Sequence, residues 1–80
     1  MAFLNEIIEA ARNNETVEIV YIKKTTGEVV TREIEPYSER DGYLFGYDVT
    51  EGTIKKFLIS NITSASRTGN KFTPRWEVEL

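Results

Sequence analysis

Basic and aromatic side chains are interleaved in one stretch of the chain that contains no acidic residue. Residues 52–76 carry five of the ten Lys and Arg residues, together with Phe57, Phe72 and Trp76. Positive charge neutralises phosphates and aromatic rings stack on bases, so the pattern favours a single-stranded nucleic acid or a nucleotide as ligand. An ordinary solvated face is the alternative, because residues 1–51 hold eleven of the thirteen acidic residues and the net charge is −3.

A second candidate for ligand chemistry lies in the N-terminal half. Two runs of alternating apolar and polar residues flank a turn predicted at residues 26–27, which sets Tyr21 opposite Arg32. The same register pairs Ile19 with Ile34, so Arg32 shares a face with apolar residues. An arginine in that position either anchors an anion or stacks on Tyr21 and pairs with a glutamate, and both alternatives stay open.

Aromatic side chains also recur at every second residue of the next predicted strand. Tyr43, Phe45 and Tyr47 share one face, and Leu44 and Gly46 share the other. Such a stripe belongs either to the wall of the fold or to a base-stacking platform. Gly46 permits a ligand or a neighbouring backbone to approach closely.

The predicted ligand site draws on both halves of the chain, and its residues are Tyr21, Arg32, Tyr43, Lys55 and Lys56. Neighbouring residues of a strand point to opposite faces, so only one of the two lysines can line a groove with Arg32. Replacing Arg32 by alanine is expected to weaken binding more than replacing a surface lysine. A secondary patch of basic and aromatic residues is formed by Arg67, Lys71, Arg75 and Trp76. Trp76 either packs against the last strand or contacts a ligand.

The residues that are missing exclude most catalytic chemistry. The chain has no Cys and no His, which rules out Ser-His-Asp and Cys-His nucleophiles, redox pairs and the common zinc sites. Glu33 and Glu35 share a strand face and are predicted to be solvent-exposed, not an acid–base pair in a pocket. We therefore predict a protein that is not an enzyme and uses no metal or cofactor.

No apolar run approaches the roughly 20 residues that span a bilayer, so a cytoplasmic location without membrane contact is expected.

One helix and five or six short strands must position these side chains. Apolar residues at helical spacing predict an amphipathic helix over 2–13, with Phe3 and Ile7 in the core. Strands are predicted at 17–22, 29–36, 43–48, 53–59, 63–68 and 72–78, with a polar loop at 38–42 and a 3₁₀ turn at 59–62. These elements predict a mainly β fold, in which the helix precedes a small SH3-like or Sm-like antiparallel barrel over 16–79. Residues 1–80 are expected to form a single domain.

Taken in order, several short segments resemble the WYL domain, a bacterial and phage module with an SH3-like barrel. They are VEIVY at 17–21, the turn at Gly27, TREIEP at 31–36, GYLFGYD at 42–48, KFLI at 56–59 and NI at 61–62. The resemblance covers most of residues 3–63. It implies a regulatory or ligand-sensing module, usual in transcription regulators and defence-associated proteins, that binds nucleic acids or nucleotide-like ligands in a groove and is not an enzyme.

The resemblance also assigns individual residues. Tyr21 and Arg32 match a tyrosine and an arginine of the family pattern. The dipeptide at 43–44 matches the last two letters of the family name. The sequence departs from the pattern at three positions, where the family has a tryptophan or, often, arginines, and these are Gly42, Leu58 and Asn61. Lys55 and Lys56 are expected to compensate in part for the missing arginines.

Two functions follow from these observations. The first is a non-catalytic regulatory module that binds an anionic ligand, either single-stranded DNA or RNA or a nucleotide. The alternative is a module for protein interaction or self-association with no small ligand, in which the basic C-terminal segment or an open sheet edge docks an acidic partner or a second copy. The loss of the family tryptophan and arginines favours the alternative.

Overall fold

The computed structural model describes residues 2–80, which form one α-helix, five β-strands and one 3₁₀ turn. In chain order the elements are α1 (Ala2–Arg12), β1 (Glu15–Ile22), β2 (Val29–Arg40), β3 (Tyr43–Asp48), β4 (Thr53–Leu58), the 3₁₀ turn (Ile59–Asn61) and β5 (Ile62–Lys71). The predicted helix, the first four strands and the 3₁₀ turn are confirmed. Their ends agree with the prediction within two residues, except that β2 is longer.

The helix ends where asparagine allows the backbone to turn. Asn14 has a φ of 53°, a left-handed conformation that asparagine tolerates better than most residues, and the Asn13 N–H still donates to the Glu9 carbonyl at 3.1 Å. The apolar stripe faces the sheet: Ile7 is fully buried, as predicted, and Phe3 is partly buried against the edge of the core. The stripe therefore holds the helix on the sheet and directs its polar face outward.

The five strands form one antiparallel sheet in the order β4-β3-β2-β1-β5. Across residues 2–80 the two outer strands, β4 and β5, do not pair with each other. The prediction of a closed barrel is therefore wrong. The sheet is nevertheless strongly curved, because Tyr21 of β1 contacts Phe57 of β4 although two strands separate them in the order. The helix α1 packs on β1, β2 and β5. It therefore covers the apolar face of the sheet, which a closed barrel would have buried in its interior.

The register of the first hairpin differs from the prediction by two residues. Ile19 pairs with Arg32, not with Ile34, and Tyr21 pairs with Val30, not with Arg32. The turn is closed by hydrogen bonds between Lys23 and residues 27 and 28, so its centre lies one residue earlier than the Thr-Gly dipeptide suggested. A two-residue shift keeps every side chain on its predicted face. Arg32 therefore does share a face with apolar residues, but Tyr21 is not its cross-strand neighbour.

The second strand continues through the segment that was predicted as a polar loop. A β-bulge between Pro36 and Ser38 lets the pairing with β3 continue to Arg40, so only Asp41 and Gly42 form the turn. These two residues have φ angles of 54° and 81°, which is the conformation that a tight Asp-Gly hairpin turn requires. The conformation favours glycine at the position where the resembling family has tryptophan.

Gly46 allows the backbones of β2 and β3 to lie close to each other. A Cβ atom placed on Gly46 would lie 2.5 Å from the carbonyl oxygen of Glu35, which is closer than real side chains come to backbone. Gly46 faces Pro36 across the β2–β3 pair, next to the bulge. The absence of a side chain here allows the two strands to close at their bend.

The last nine residues are not a strand, contrary to the prediction for 72–78. They cross the outer face of the sheet, the face opposite α1, and are held by the Phe72 N–H on the Asn14 carbonyl and the Glu79 N–H on the Tyr37 carbonyl. The ring of Trp76 stacks on Tyr37, with ring centroids 3.9 Å apart. This C-terminal strap gives the sheet a second apolar layer.

The strap also overturns the prediction that Glu35 is solvent-exposed. Glu35 is buried, and Arg75 of the strap donates to both of its carboxylate oxygens, from Nε at 3.1 Å and from Nη2 at 3.3 Å. The hydroxyl of Tyr37 donates to Glu35 Oε1 at 2.7 Å. A buried carboxylate needs such partners to offset its lost hydration. Glu33, the neighbour on the same face, is partly buried.

Candidate functional site

A groove lies between the end of β1 and strand β4, where the curved sheet brings these two strands near each other. We call it the tyrosine groove; its volume is about 200 Å³. It is lined by Tyr21, Ile22, Lys24, Tyr43, Lys56, Phe57, Leu58 and Asn61. Three residues of the predicted ligand site therefore meet here, and they come from the first strand, the third strand and the fourth strand.

Contacts between side chains shape the aromatic part of the groove. The rings of Tyr21 and Phe57 meet edge to face, with centroids 5.0 Å apart. The Lys56 ammonium lies over the Tyr43 ring, 4.7 Å from its centroid, which is within the range of a cation–π interaction. Both tyrosines are only partly buried, so ring surface remains open to a ligand.

The charge in the tyrosine groove is positive and lacks compensation. None of the lining residues is acidic, and among the residues that the structure describes no carboxylate lies within 4.0 Å of the Lys24 or Lys56 ammonium. Asn61 adds an amide that can both donate and accept hydrogen bonds. The arrangement suits a ligand with a negative group and a planar part.

The other two predicted ligand residues lie in a separate cluster, which we call the Asp48 cluster. Asp48 is fully buried, and its Oδ2 atom lies 3.3 Å from Lys55 Nζ and 3.7 Å from Arg32 Nε. Glu51 approaches the same two cations, at 3.4 Å from Lys55 Nζ and 3.9 Å from Arg32 Nη2. Two cations and two carboxylates therefore balance each other, and the five predicted residues do not form one site.

The Asp48 cluster is held mainly by charge and by only a few hydrogen bonds. Arg32 Nε and Asp48 Oδ2 are buried and have no hydrogen-bond partner within residues 2–80. Asp48 Oδ1 accepts from the Glu51 N–H at 3.0 Å, which closes the β3–β4 turn. Arg32 thus pairs with an aspartate and a glutamate, and no stacking of Arg32 on Tyr21 is found within residues 2–80.

The secondary patch is dispersed over the molecule. Arg67 forms an ion pair and hydrogen bond with Glu15 across β1 and β5. The hydrogen bond from Arg67 lowers the pKa of the Glu15 carboxyl below its ordinary value, and the same bond raises the pKa of Arg67. The Lys71 ammonium donates to the Asn13 carbonyl at 2.8 Å at the end of the helix. These two residues therefore tie β5 to neighbouring elements.

The remaining members of the patch belong to the C-terminal strap. The guanidinium of Arg75 lies over the Tyr47 ring, 3.8 Å from its centroid, in addition to its bonds with Glu35. The hydrogen bonds that Arg75 donates to Glu35 raise the pKa of Arg75. Burial is the largest cause that raises the pKa of Tyr37 to about 12. Trp76 stacks on Tyr37 of β2 and not on the last strand.

Sequence reasoning did not assign two polar residues of the tyrosine groove to the ligand site, Lys24 and Asn61. Lys24 follows the first predicted strand and was given no role, and only the curvature of the sheet brings it to the groove. Asn61 was noted only as a departure from the family pattern. Its position within the predicted 3₁₀ turn was the available signal, since such short turns serve as connectors between elements.

In residues 2–80 no group of three or more acidic side chains is arranged to hold a metal ion. In the same residues no helix is long and apolar enough to cross a membrane.

Comparison with known proteins identifies the family. Among curated protein sequences, none matches this chain significantly. Among solved structures, the chain is similar to the proteasome accessory factor B/C (PafBC) of Arthrobacter aurescens, with a TM-score of 0.76 and 28% sequence identity over 90% of this chain. The chain spans 12% of the length of that protein. The sequence model of the WYL domain family matches residues 2–67. This chain therefore belongs to the WYL domain family, whose members are regulatory and non-catalytic domains.

Proposed function

We propose that this WYL domain is a regulatory module that binds an anionic ligand, a single-stranded nucleic acid or a nucleotide, in the tyrosine groove. The supporting observation is that Lys24 and Lys56 flank the rings of Tyr21 and Tyr43 without a carboxylate nearby within residues 2–80. The two lysines contact phosphates, and the tyrosine rings stack on a base.

Arg32 and Lys55 act differently in this proposal. Their charges are offset by Asp48 and Glu51, so an anion that approached them would compete with two carboxylates. They stabilise the sheet through this cluster and do not contact the ligand. This proposal revises the sequence-based expectation that Arg32 is the main anchor.

Fluorescence anisotropy with labelled oligonucleotides tests the proposal. The probes are twelve-nucleotide oligo(dT) and oligo(U), with a fluorescent ATP derivative for the nucleotide version. A site that contacts two phosphates loses roughly sevenfold in affinity for a fourfold rise in salt, because single-strand binding releases about 0.7 counterion per phosphate. Absence of binding at tens of micromolar for all three probes would remove the proposal.

A matched pair of variants locates the site. Lys56→Ala is expected to weaken oligonucleotide binding several-fold, since it removes one phosphate contact. Lys71→Ala makes the same change of charge at the far end of β1, where Lys71 pairs with Glu15, and is expected to have little effect. Equal losses in the two variants would show that binding reflects overall charge and not the groove. Arg32→Ala supplies a third comparison: if it weakens binding more than Lys56→Ala in a folded protein, Arg32 contacts the ligand after all.

A further inference from the structure

A second depression lies on the outer face of the sheet and shares no lining residue with the tyrosine groove. We call it the Trp76 depression; its volume is about 270 Å³. It is lined by Ser38, Arg40, Phe45, Ile54 and Trp76. These residues come from β2, β3, the edge strand β4 and the C-terminal strap. The depression is therefore open along a strand that has a free edge.

The free edge of β4 offers backbone hydrogen bonds. Strand β4 pairs with β3 and with no other strand in residues 2–80. Every second residue of an edge strand points its N–H and C=O groups away from the sheet, where another extended chain can pair with them. Natural edge strands commonly carry polar residues throughout, yet Ile54 is 64% exposed on this one, and Trp76 beside it is 38% exposed.

The charge around the depression specifies its occupant further. Lys56 lies on the same face as Ile54 and pairs with Phe45 across β3 and β4. No carboxylate lies within 4.0 Å of the Arg40 or Lys56 side-chain charge in the part of the chain that the structure describes. The surface thus combines exposed apolar groups with two cations that lack acidic partners, which fits a partner that is both apolar and acidic.

A second copy of this chain fits the edge poorly. Two identical edge strands related by a two-fold axis pair antiparallel, so the centre of one β4 faces the centre of the other. The centre of β4 holds Lys55 and Lys56. Like charges placed opposite each other across a strand pair are destabilising. This arrangement opposes edge-to-edge dimers, while it favours a strand that carries a carboxylate at its centre.

We propose that β4 binds an extended acidic peptide segment of a partner protein as an added antiparallel strand. A carboxylate of the peptide lies opposite Lys56, and a large apolar side chain two residues later lies over Ile54 at the mouth of the Trp76 depression. Backbone hydrogen bonds to β4 supply affinity, and the two side chains supply selectivity. The site shares Lys56 and Leu58 with the tyrosine groove, whereas Ile54, Arg40 and Trp76 belong to this site alone.

A synthetic peptide tests this proposal directly. The probe is the acetylated and amidated peptide Thr-Val-Thr-Glu-Thr-Phe-Thr, which places Val, Glu and Phe opposite Leu58, Lys56 and Ile54 when it is antiparallel to β4. Trp76 is the single tryptophan of the chain, so its emission reports on the depression without a label. We expect a saturable change in Trp76 emission at peptide concentrations up to about 1 mM, with amide shifts concentrated in β4. Absence of both changes would overturn the proposal.

Peptide variants test the strand geometry. Two versions are N-methylated on alternate residues, so that only one of them loses the N–H groups that face β4. Only one version is expected to lose binding, whereas equal loss or equal retention would contradict strand addition. A version with Lys in place of Glu is expected to bind at least fivefold more weakly, because it places a positive charge opposite Lys56.

Two matched protein variants test where the peptide binds. Ile54→Glu is expected to weaken peptide binding about tenfold, through lost apolar contact and charge repulsion. Val29→Glu makes a similar change at a residue that is 63% exposed on β2, and is expected to leave binding intact. Equal losses would overturn the proposal, as would a dimer in light scattering that Ile54→Glu abolishes. Lys24→Ala is expected to affect oligonucleotide binding alone, so failure of this proposal can be distinguished from failure of the proposed function.

Discussion

Lys55 and Lys56 are neighbours in sequence, but they occupy opposite electrostatic environments. Lys55 joins Arg32, Asp48 and Glu51 in a cluster with two positive and two negative charges. Lys56 points to the other face of β4, where it lies over the ring of Tyr43 and meets no carboxylate within 4.0 Å in residues 2–80. The alternation of strand side chains separates the two environments.

The difference shows that a basic residue is available to a ligand only when the fold leaves its charge uncompensated. Arg32, Arg67 and Arg75 each form an ion pair with a carboxylate, in three different parts of the sheet. Lys24 and Lys56 form no such ion pair within residues 2–80, and both line the tyrosine groove. Substitutions in the paired group and substitutions in the unpaired group should therefore have effects of very different size on stability and on ligand binding.

The largest effect is expected from the centre of the Asp48 cluster. Asp48→Ala leaves Arg32 and Lys55 without their shared partner and should lower the free energy of unfolding by about 3 kcal/mol, measured by urea denaturation. Asp48→Asn keeps the acceptor for the Glu51 N–H and removes only the charge, so it separates the two contributions. Lys56→Ala should change stability by less than about 0.5 kcal/mol. A similar loss for Lys56→Ala and Asp48→Ala would break the comparison.

A smaller loss of stability is expected on the outer face, where the C-terminal strap provides the ion-pair partner of a buried carboxylate. Tyr37→Phe removes the hydroxyl that donates to Glu35 and accepts from the Arg75 backbone N–H. It should cost about 1–2 kcal/mol in the same unfolding assay. Tyr43→Phe is the control, because no hydrogen bond of the Tyr43 hydroxyl is found within residues 2–80.

The same tyrosine makes stability depend on alkaline pH. The pKa of Tyr37 is raised from its ordinary value of 10.0 to about 12, so the folded protein holds the phenol proton more tightly than the unfolded chain. Its contribution is therefore complete below pH 10 and is lost as the pH rises from 10 towards 12. Melting temperatures measured across this range should fall more steeply in the natural sequence than in Tyr37→Phe. Parallel curves would show that Tyr37 does not titrate as described.

The two neighbouring lysines should differ in ligand binding. Lys56→Met is expected to weaken oligo(dT) binding three- to fivefold and to reduce its salt dependence, whereas Lys55→Met should leave both nearly unchanged. Anisotropy titrations at two salt concentrations measure both effects, and thermal melts of each variant check that it is folded. Equal sensitivity to the two substitutions would show that the Asp48 cluster also contributes to ligand binding.

The smallest effect is expected at the edge of the sheet, from the pair between Glu15 and Arg67. The hydrogen bond from Arg67 lowers the pKa of Glu15 below 4.5, so its contribution is present above that value and is lost as the pH falls through the lowered pKa. Glu15→Gln should therefore flatten the acid side of the stability profile, measured by melting temperature between pH 6 and pH 3. An unchanged acid slope would assign the acid sensitivity to other carboxylates.

Much of the chain could be predicted because its signals are local. The stripe around Ile7, the Asn13-Asn14 helix end and the 3₁₀ turn after β4 each depend on a few adjacent residues. The register of the first hairpin could not be predicted, because the turn closes around Lys23 and not around the Thr-Gly dipeptide. The closed barrel was wrong for a similar reason, since strand count does not determine whether the last strand meets the first.

The sequence by itself determined the type of protein. Its length, its lack of Cys and His, and the order of short segments from the VEIVY strand to the 3₁₀ turn led to a small mainly β domain of the WYL family. It also determined that Lys55 and Lys56 face opposite ways, because this follows from strand geometry alone.

Only the tertiary structure decided which charges remain free. Arg67 and Glu15 are 52 residues apart in sequence, and Arg75 and Glu35 are 40 apart, so no local pattern announces these pairs. The curvature of the sheet brings Lys24 to Lys56, and the path of the C-terminal strap carries Arg75 to a buried glutamate. The physical reason is that electrostatic compensation depends on distances of a few ångströms, which are set by the packing of segments that are distant in sequence.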